Sequence, residues 1–349
     1  MYTFDFTSID EGYVPILRAI LQHGEKTKPR GKETLELSPV AITFSEPTKN
    51  VISNKKRKLN YAYMIANTLW TMQGRNDVDS IIRYNHNLAD YSDDNNVFSG
   101  AYGQRIFRYD GLFDVEDKTY IDSEGATHPD FDLQQIIINQ FDNAYNVLKA
   151  DKNSRQAIIN IYNPVQDQRI EVKSISKDVP CTCMIQFLQR GKKLNMIVTM
   201  RSNDAYLGMP YDLFLFSTLQ RIMAMRLNIK VGAYTHIANS LHIYKDKIDT
   251  VKEIIDNANV SVYNDIDMID ATMPEESIAD VYNVEASTRS LGKLITLEKV
   301  ESLLYVIKNE YWRSIAAVIA YYNFKIDGRD KSELDIIHNY ISNEFADLI

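Results

Sequence analysis

Both cysteines of the chain sit in one short run, Pro180-Cys181-Thr182-Cys183, and the residues able to activate one of them follow closely. A cysteine attacks as its thiolate, a form that a nearby cation stabilises. Cys181 follows a proline at the start of a predicted strand, so its backbone is constrained, and Arg201 lies one hairpin arm away. The competing account makes both cysteines small buried apolar residues. A bridge between them is implausible, because strand positions this close rarely meet disulfide geometry. Free thiols suit a reducing, cytoplasmic setting.

Arg201-Ser202 ends the second hairpin arm in a polar turn. A forked guanidinium beside a hydroxyl makes a good phosphate clamp; a structural arginine paired with Asp204 is the alternative. Asp212 falls in the first turn of a predicted helix, where the helix dipole stabilises a carboxylate without any ligand. His242 and Tyr244 alternate along a predicted strand and share a side, as a ligand pair or as a satisfied core pair. The loop carrying Lys26, Lys28, Arg30 and Lys32 suits an anion contact, and would equally be a solvated basic loop. No Gly-rich phosphate loop, H-E-x-x-H or C-x-x-C spacing is present, and the aspartates between residues 84 and 108 lack calcium-loop spacing. No metal cofactor is expected.

Several elements must position these groups. Helices are predicted at Gly12–Gly24, Asn60–Gly74, Phe131–Ala150 and from Pro210 to about Leu227, the third with Leu133, Ile136, Ile137, Phe141, Tyr145 and Leu148 as its apolar stripe. Strands are predicted at Thr34–Phe44, Ala157–Tyr162 and Ala233–Tyr244, with a hairpin of Cys183–Gln189 and Leu194–Arg201 turning at Arg190-Gly191-Lys192-Lys193. Tyr84–Arg108 reads as irregular. From Ser287 helices dominate, with Leu303, Leu304, Ile307, Tyr311, Ile315 and Ile319 on one face and a last helix starting near Ser332 and Asp335. The architecture is α+β, a mixed sheet flanked by long helices, with residues 1–286 as catalytic domain and 287–349 as a helical C-terminal extension.

Bulk properties narrow the function. With 45% hydrophobic residues the chain can build a large core, and a net charge of −8 argues against a nucleic-acid coat protein. No apolar run is long enough to span a bilayer, and the N-terminus lacks the pattern of a signal peptide.

Taken in order, PC, a hairpin, R-S-x-D-x-x-L-G-x-P-[FY]-[ND] and a strand ending H-x-Y resemble the thymidylate synthase superfamily over roughly residues 12–250. Cys181-Thr182, Met200-Arg201-Ser202-Asn203-Asp204 and Ser240-Leu241-His242 look like the branch of deoxycytidylate and cytidylate hydroxymethylases. The resemblance implies that Cys181 attacks C6 of a pyrimidine nucleoside monophosphate and that C5 then takes a one-carbon unit from 5,10-methylenetetrahydrofolate. Hydride would complete a methyl group, and water a hydroxymethyl group. It implies that Arg30, Arg201 and Ser202 bind the 5′-phosphate, with Arg155 reaching the partner subunit's nucleotide in a homodimer with shared sites. It implies further that His242 and Tyr244 hold the ribose, that Asp204, Leu207 and Gly208 meet the folate, and that Tyr102 assists proton removal at C5. Asp212 stands where thymidylate synthase has an asparagine. A carboxylate accepts from the cytosine amino group and mismatches O4 of uracil by about 1–3 kcal/mol, so dCMP or CMP is expected. Three further departures are Asn67 at the family's catalytic glutamate, Gln156 at the second arginine of its RR pair, and the region of Leu88 at its folate-packing tryptophan. C5-methylation of dUMP or dCMP, or nucleotide binding without turnover, are the alternatives that Asn67 keeps open.

Overall fold

The computed structural model describes residues 1–121, 127–168, 176–258 and 275–349. Its centre is a six-stranded mixed sheet, in the order 2–6, 40–44, 230–238, 193–200, 182–190, 158–160. Along Thr182–Arg190, Lys193–Met200 and Lys230–Ala238 buried and half-buried residues alternate, so one face of the sheet is covered and the other is half open. The covered face meets the helix Met209–Arg226, in which every residue from Leu213 to Ala224 is buried. Gln220 of this helix donates from Nε2 to the carbonyls of Leu194 (2.8 Å), Gly232 (3.2 Å) and Ala233 (3.1 Å), satisfying the sheet where its register shifts between Val231 and Tyr234.

A second, four-stranded sheet runs 203–204, 241–244, 34–37, 25–27. It explains two differences from the sequence reading. Thr34–Phe44 is two strands, Thr34–Leu37 and Val40–Phe44, and Ala233–Tyr244 divides into Lys230–Ala238 and Leu241–Tyr244. At Ser38-Pro39 and at Asn239-Ser240 the chain leaves one sheet for the other, and a hydrophobic alternation that continues across such a step does not reveal it.

The predicted helix Phe131–Ala150 is a correction. Thr127–Ile138 is a strand paired with Tyr109–Ile121, and only Gln140–Ala150 is helical. The β-branched run Ile136-Ile137-Ile138 favours extended chain, and Asn139 starts the helix by accepting the N–H of Asp142 at 3.0 Å. Within Tyr84–Arg108, read as irregular, lies the short helix Tyr102–Phe107, and Tyr2–Phe6 forms a strand that the sequence did not announce. The shared face 303–319 belongs to two helices, Leu297–Val306 and Glu310–Ile326, separated where Asn309 caps the second. A capping box of Asp330 and Glu333 opens Lys331–His338, two residues earlier than Ser332 and Asp335 suggested. Helix Glu275–Leu291 runs through position 287, so helical structure begins before the expected extension. Among the described residues no helix is long and apolar enough to cross a membrane.

Candidate active site

Cys181 lies immediately before the strand Thr182–Arg190, at the edge of the apolar core. Its position is set from the neighbouring strand. The Arg201 N–H donates to the Cys181 carbonyl (2.9 Å), while Arg201 Nε donates to the Pro180 carbonyl and Nη2 to the Val179 carbonyl, both at 2.8 Å. Arg201 therefore grips the loop that presents the thiol and does not pair with Asp204. Two of its five N–H donors are used in this way, which leaves a partly exposed cation free for an anion. Burial pushes the Cys181 thiol above its ordinary value; Arg201 and Arg30 pull it down, while Asp212 pushes it up.

Arg30 is exposed in a short turn, Pro29–Gly31, with a left-handed backbone at φ 50°. A non-glycine residue held there is strained, as segments that clamp ligands often are. Ser202 is half-buried at the start of the segment that pairs with Leu241–Tyr244.

Tyr102 reaches the same place from its short helix. Its hydroxyl accepts the Thr182 N–H at 3.3 Å, its ring stacks on Phe216, and burial and the Asp212 charge hold the phenol well above its ordinary value. Two glycines make the approach possible. A Cβ on Gly100 would lie 2.2 Å from the Asp178 carbonyl oxygen and 2.9 Å from Pro180 Cδ, and one on Gly103 would lie 2.7 Å from the Thr71 carbonyl oxygen. Asp178, a residue the sequence did not single out, accepts the Gly100 N–H at 2.7 Å, and burial raises its carboxyl to about 6. A lone aspartate before Pro180 carries no sequence signal of that role.

Asp212 sits in the first turn of Met209–Arg226, with Gly208 packed over it. It keeps some accessible surface but is surrounded by protein, and burial raises its carboxyl to about 7 despite a 2.8 Å hydrogen bond from Asn203 Nδ2. Asn203 entered the sequence reading only as a motif letter without a role, and Tyr234 and His236 were absent from it. The first stood inside the arginine motif and the other two resembled ordinary strand residues.

Asp204 Oδ1 accepts the N–H groups of Tyr206 (2.8 Å) and Leu207 (2.7 Å), whereas its Oδ2 is buried without a partner among the described residues. Burial holds this carboxyl above its ordinary range, opposed by the Leu207 N–H and His242. Leu207 is 41% exposed next to it. An orphaned acceptor beside an exposed apolar side chain fits a flat heterocycle bearing N–H groups, such as a pterin. His242 and Tyr244 do share a side, with ring centroids 5.2 Å apart, and the buried His242 Nδ1 also lacks a partner among the described residues.

Two further predicted residues make no side-chain hydrogen bond to the groups described so far. Arg155 is exposed before the edge strand Ile158–Asn160, and its carbonyl accepts from Gln186 Nε2. Asn67 lies on Tyr61–Met72, where it alone between Tyr61 and Thr71 is half-buried rather than buried, and it makes no side-chain hydrogen bond to any described residue. Among the described residues no cluster of His, Cys, Asp and Glu could hold a metal ion.

The mixed sheet thus presents one cysteine beside Arg201, a buried carboxyl and two orphaned polar atoms, an arrangement in which a thiol could act on a bound polar ligand. The thymidylate synthase family model matches residues 11–285, and the chain belongs to the thymidylate synthase family. A deoxyuridylate hydroxymethyltransferase of Bacillus phage SP01 is 34% identical over 247 residues, covering 70% of this chain and 60% of that protein. A putative thymidylate synthase of Methanocaldococcus jannaschii is 30% identical over 249 residues, covering 70% and 92%. The deoxyuridylate hydroxymethyltransferase of Pseudomonas phage M6 is 27% identical over 222 residues, covering 63% and 55%. The chain thus spans little more than half the length of the two phage relatives.

Proposed function

We propose that this chain hydroxymethylates C5 of a cytosine nucleoside monophosphate, dCMP or CMP, with 5,10-methylenetetrahydrofolate as one-carbon donor. The observation that carries the proposal is Asp212, a buried carboxyl within electrostatic reach of Cys181 and Tyr102, at the position that reads the base in this family. Arg30, Arg201 and Ser202 bind the 5′-phosphate, and His242 and Tyr244 the ribose. The Cys181 sulfur bonds to C6, and the displaced π electrons make C5 nucleophilic. When bound, the folate supplies the one-carbon unit as an electrophile. Asp204 and Leu207 orient it, with Gly208 leaving room beside them. Tyr102, kept protonated, orders the water that removes the C5 proton. Loss of that proton would be matched by departure of tetrahydrofolate, leaving an exocyclic methylene; water adds there and the C5–C6 double bond reforms as the Cys181 thiolate is expelled, which completes the product. Asn67 cannot relay protons by titrating, so it serves to order water.

A second reading, hydroxymethylation of deoxyuridylate, is favoured by one observation. An Asp212 carboxyl that holds a proton near neutrality can donate to O4 of uracil while accepting from N3–H. The two phage relatives bear the name of that activity. Mass spectrometry of dCMP, CMP and dUMP incubated with methylenetetrahydrofolate decides between the two. Gain of one CH2O unit on a cytosine nucleotide supports the first reading, and gain on dUMP alone overturns it. Formation of dihydrofolate would instead mark methyl transfer.

The half-open sheet face carries Leu188, Ile197 and Ile237, and its edge strand follows Arg155, which supports a homodimer that completes each site from its partner. Mixing Cys181→Ala with Arg155→Ala subunits should restore about a quarter to a half of the activity that either lacks alone. No recovery would rule out shared sites.

A further inference from the structure

Behind Asp212 runs a chain of buried polar groups. Tyr234 Oη lies 2.8 Å from His236 Nδ1, His236 Nε2 lies 3.0 Å from Asn203 Oδ1, and Asn203 Nδ2 lies 2.8 Å from Asp212 Oδ2. Tyr234 and His236 are fully buried and Asn203 nearly so, which leaves no water to repair a misdirected bond.

The direction of this chain follows from its far end. Tyr234 Oη has His236 Nδ1 as its single hydrogen-bond partner among the described residues. If His236 carried its proton on Nδ1, the phenol hydrogen would be left unpaired in the core, a cost of about 1–3 kcal/mol. The phenol therefore donates to Nδ1. Burial holds the imidazole down at about 4, so it is neutral and carries its one proton on Nε2. That N–H needs an acceptor, which turns the Asn203 oxygen towards it and the Asn203 N–H towards Asp212.

We infer that Asn203 is a specificity-determining positioning residue: held by His236 and Tyr234, it keeps Oδ2 of Asp212 an acceptor and confines any proton of that carboxyl to Oδ1, the oxygen left to the base. The inference rests on Asp212 as the base-reading residue. Oδ1 makes no hydrogen bond to any described residue, so a proton there is free to be donated to the substrate. A freely rotating carboxylic acid would present donor and acceptor in either order. The fixed chain permits one order, which is what distinguishes cytosine, with acceptor N3 beside donor N4, from uracil, with donor N3 beside acceptor O4. The other groups near Asp212 are Tyr63 from Tyr61–Met72, Tyr102 from Tyr102–Phe107, Cys181 before its strand, and Tyr234 itself. The three phenols are held protonated by burial, and none of these groups supplies a positive charge that could replace the Asn203 bond.

The test joins a tautomer to a binding profile. Nitrogen NMR of histidine-labelled protein should show His236 with Nε2–H in the wild type and a tautomer mixture in Tyr234→Phe. In Asn203→Ala, the titration of the Asp212 carboxyl, read by carbon NMR, should move up by about one pH unit. The ratio of dCMP to dUMP dissociation constants should shift about tenfold towards indifference, with Tyr234→Phe in the same direction but less. A wild-type His236 protonated on Nδ1 overturns the chain, whether or not Asn203→Ala folds. If the tautomer is as stated but Asp212→Asn leaves the base ratio unchanged, the base-reading assignment fails, and the specificity role with it. Folded Asn203→Ala protein with an unmoved Asp212 midpoint and an unmoved ratio also overturns the inference.

Discussion

Burial favours the proton-bearing form of both Cys181 and Asp212, and both consequences are measurable. Burial outweighs the arginines at Cys181, so the ligand-free thiol should alkylate slowly near pH 7 and need a higher pH than an ordinary exposed thiol to react fast. Arg201→Met removes the largest opposing charge and loosens the Val179-Pro180 loop, so its alkylation profile should move to still higher pH. A profile unchanged from wild type would show that Arg201 does not act on the thiol. For Asp212 the folded value, about 7, lies above the unfolded carboxyl near about 4. The folded state then holds a proton that the unfolded state has released, and stability falls as pH rises through that window. The whole interval corresponds to at most about 4 kcal/mol, reduced to roughly 1–3 kcal/mol by the residual accessibility of the carboxyl. Asp212→Asn should match the wild type near pH 4 and exceed its stability by that amount near pH 8 in urea titrations. Equal stability at both ends would mean that Asp212 is ionised without cost.

The glycines decide at the scale of elements how closely the helix Tyr102–Phe107 approaches the cysteine. Gly100→Ala drives a methyl into the Asp178 backbone carbonyl oxygen and the Pro180 ring, which is closed on its own backbone, so neither can step aside cheaply. Its expected cost is about 2–3 kcal/mol in stability and at least about a hundredfold in turnover, since the displaced loop carries Cys181. Gly191→Asn, at a left-handed hairpin turn with open space around it, is the control and should change neither. These packing facts mark the limit of what the sequence disclosed. The motif residues 181, 201–204, 212, 242 and 244 were legible because each has a distinctive type in a fixed order. Asp178, Tyr234 and His236 were not, because their roles depend on neighbours distant in sequence. The two sheets were likewise hidden, because strands 34–37 and 40–44 alternate in the same way whichever sheet they join. The false helix at residue 131 came from apolar residues whose spacing satisfied a helical stripe, while the β-branched run before Asn139 set the conformation.

For the whole molecule the question is whether the C-terminal helices form an independent body, and a knot of polar groups argues that they do not. Arg83 Nε donates to Asn323 Oδ1 (2.8 Å) and Nη2 to Asp327 (2.7 Å), while Asn323 Nδ2 donates to Tyr84 Oη (2.9 Å) and Thr288 Oγ1 (3.0 Å). Tyr84 donates in turn to Glu285 Oε1 (3.0 Å), and its ring stacks on Tyr322. Asn323 is fully buried and Tyr84 nearly so, and the helix Glu310–Ile326 that carries Asn323 packs on Tyr61–Met72, the helix of Asn67. Buried networks of this kind lose more than one bond when a member is removed, because the partners remain in the core unsatisfied. Asn323→Leu should therefore cost about 2–4 kcal/mol, and Tyr84→Phe about 1–3 kcal/mol, with the two losses less than additive in a double mutant. Thermal unfolding of the wild type should show one transition detected alike by tryptophan fluorescence and far-ultraviolet dichroism. Trp70 reports the catalytic part and Trp312 the C-terminal helices, so a variant with only one of them separates the two. If the Trp312 signal in Asn323→Leu protein is lost at a lower temperature than the Trp70 signal, the knot is what couples the two parts. If both still melt together, the coupling resides in the apolar contacts between the helices.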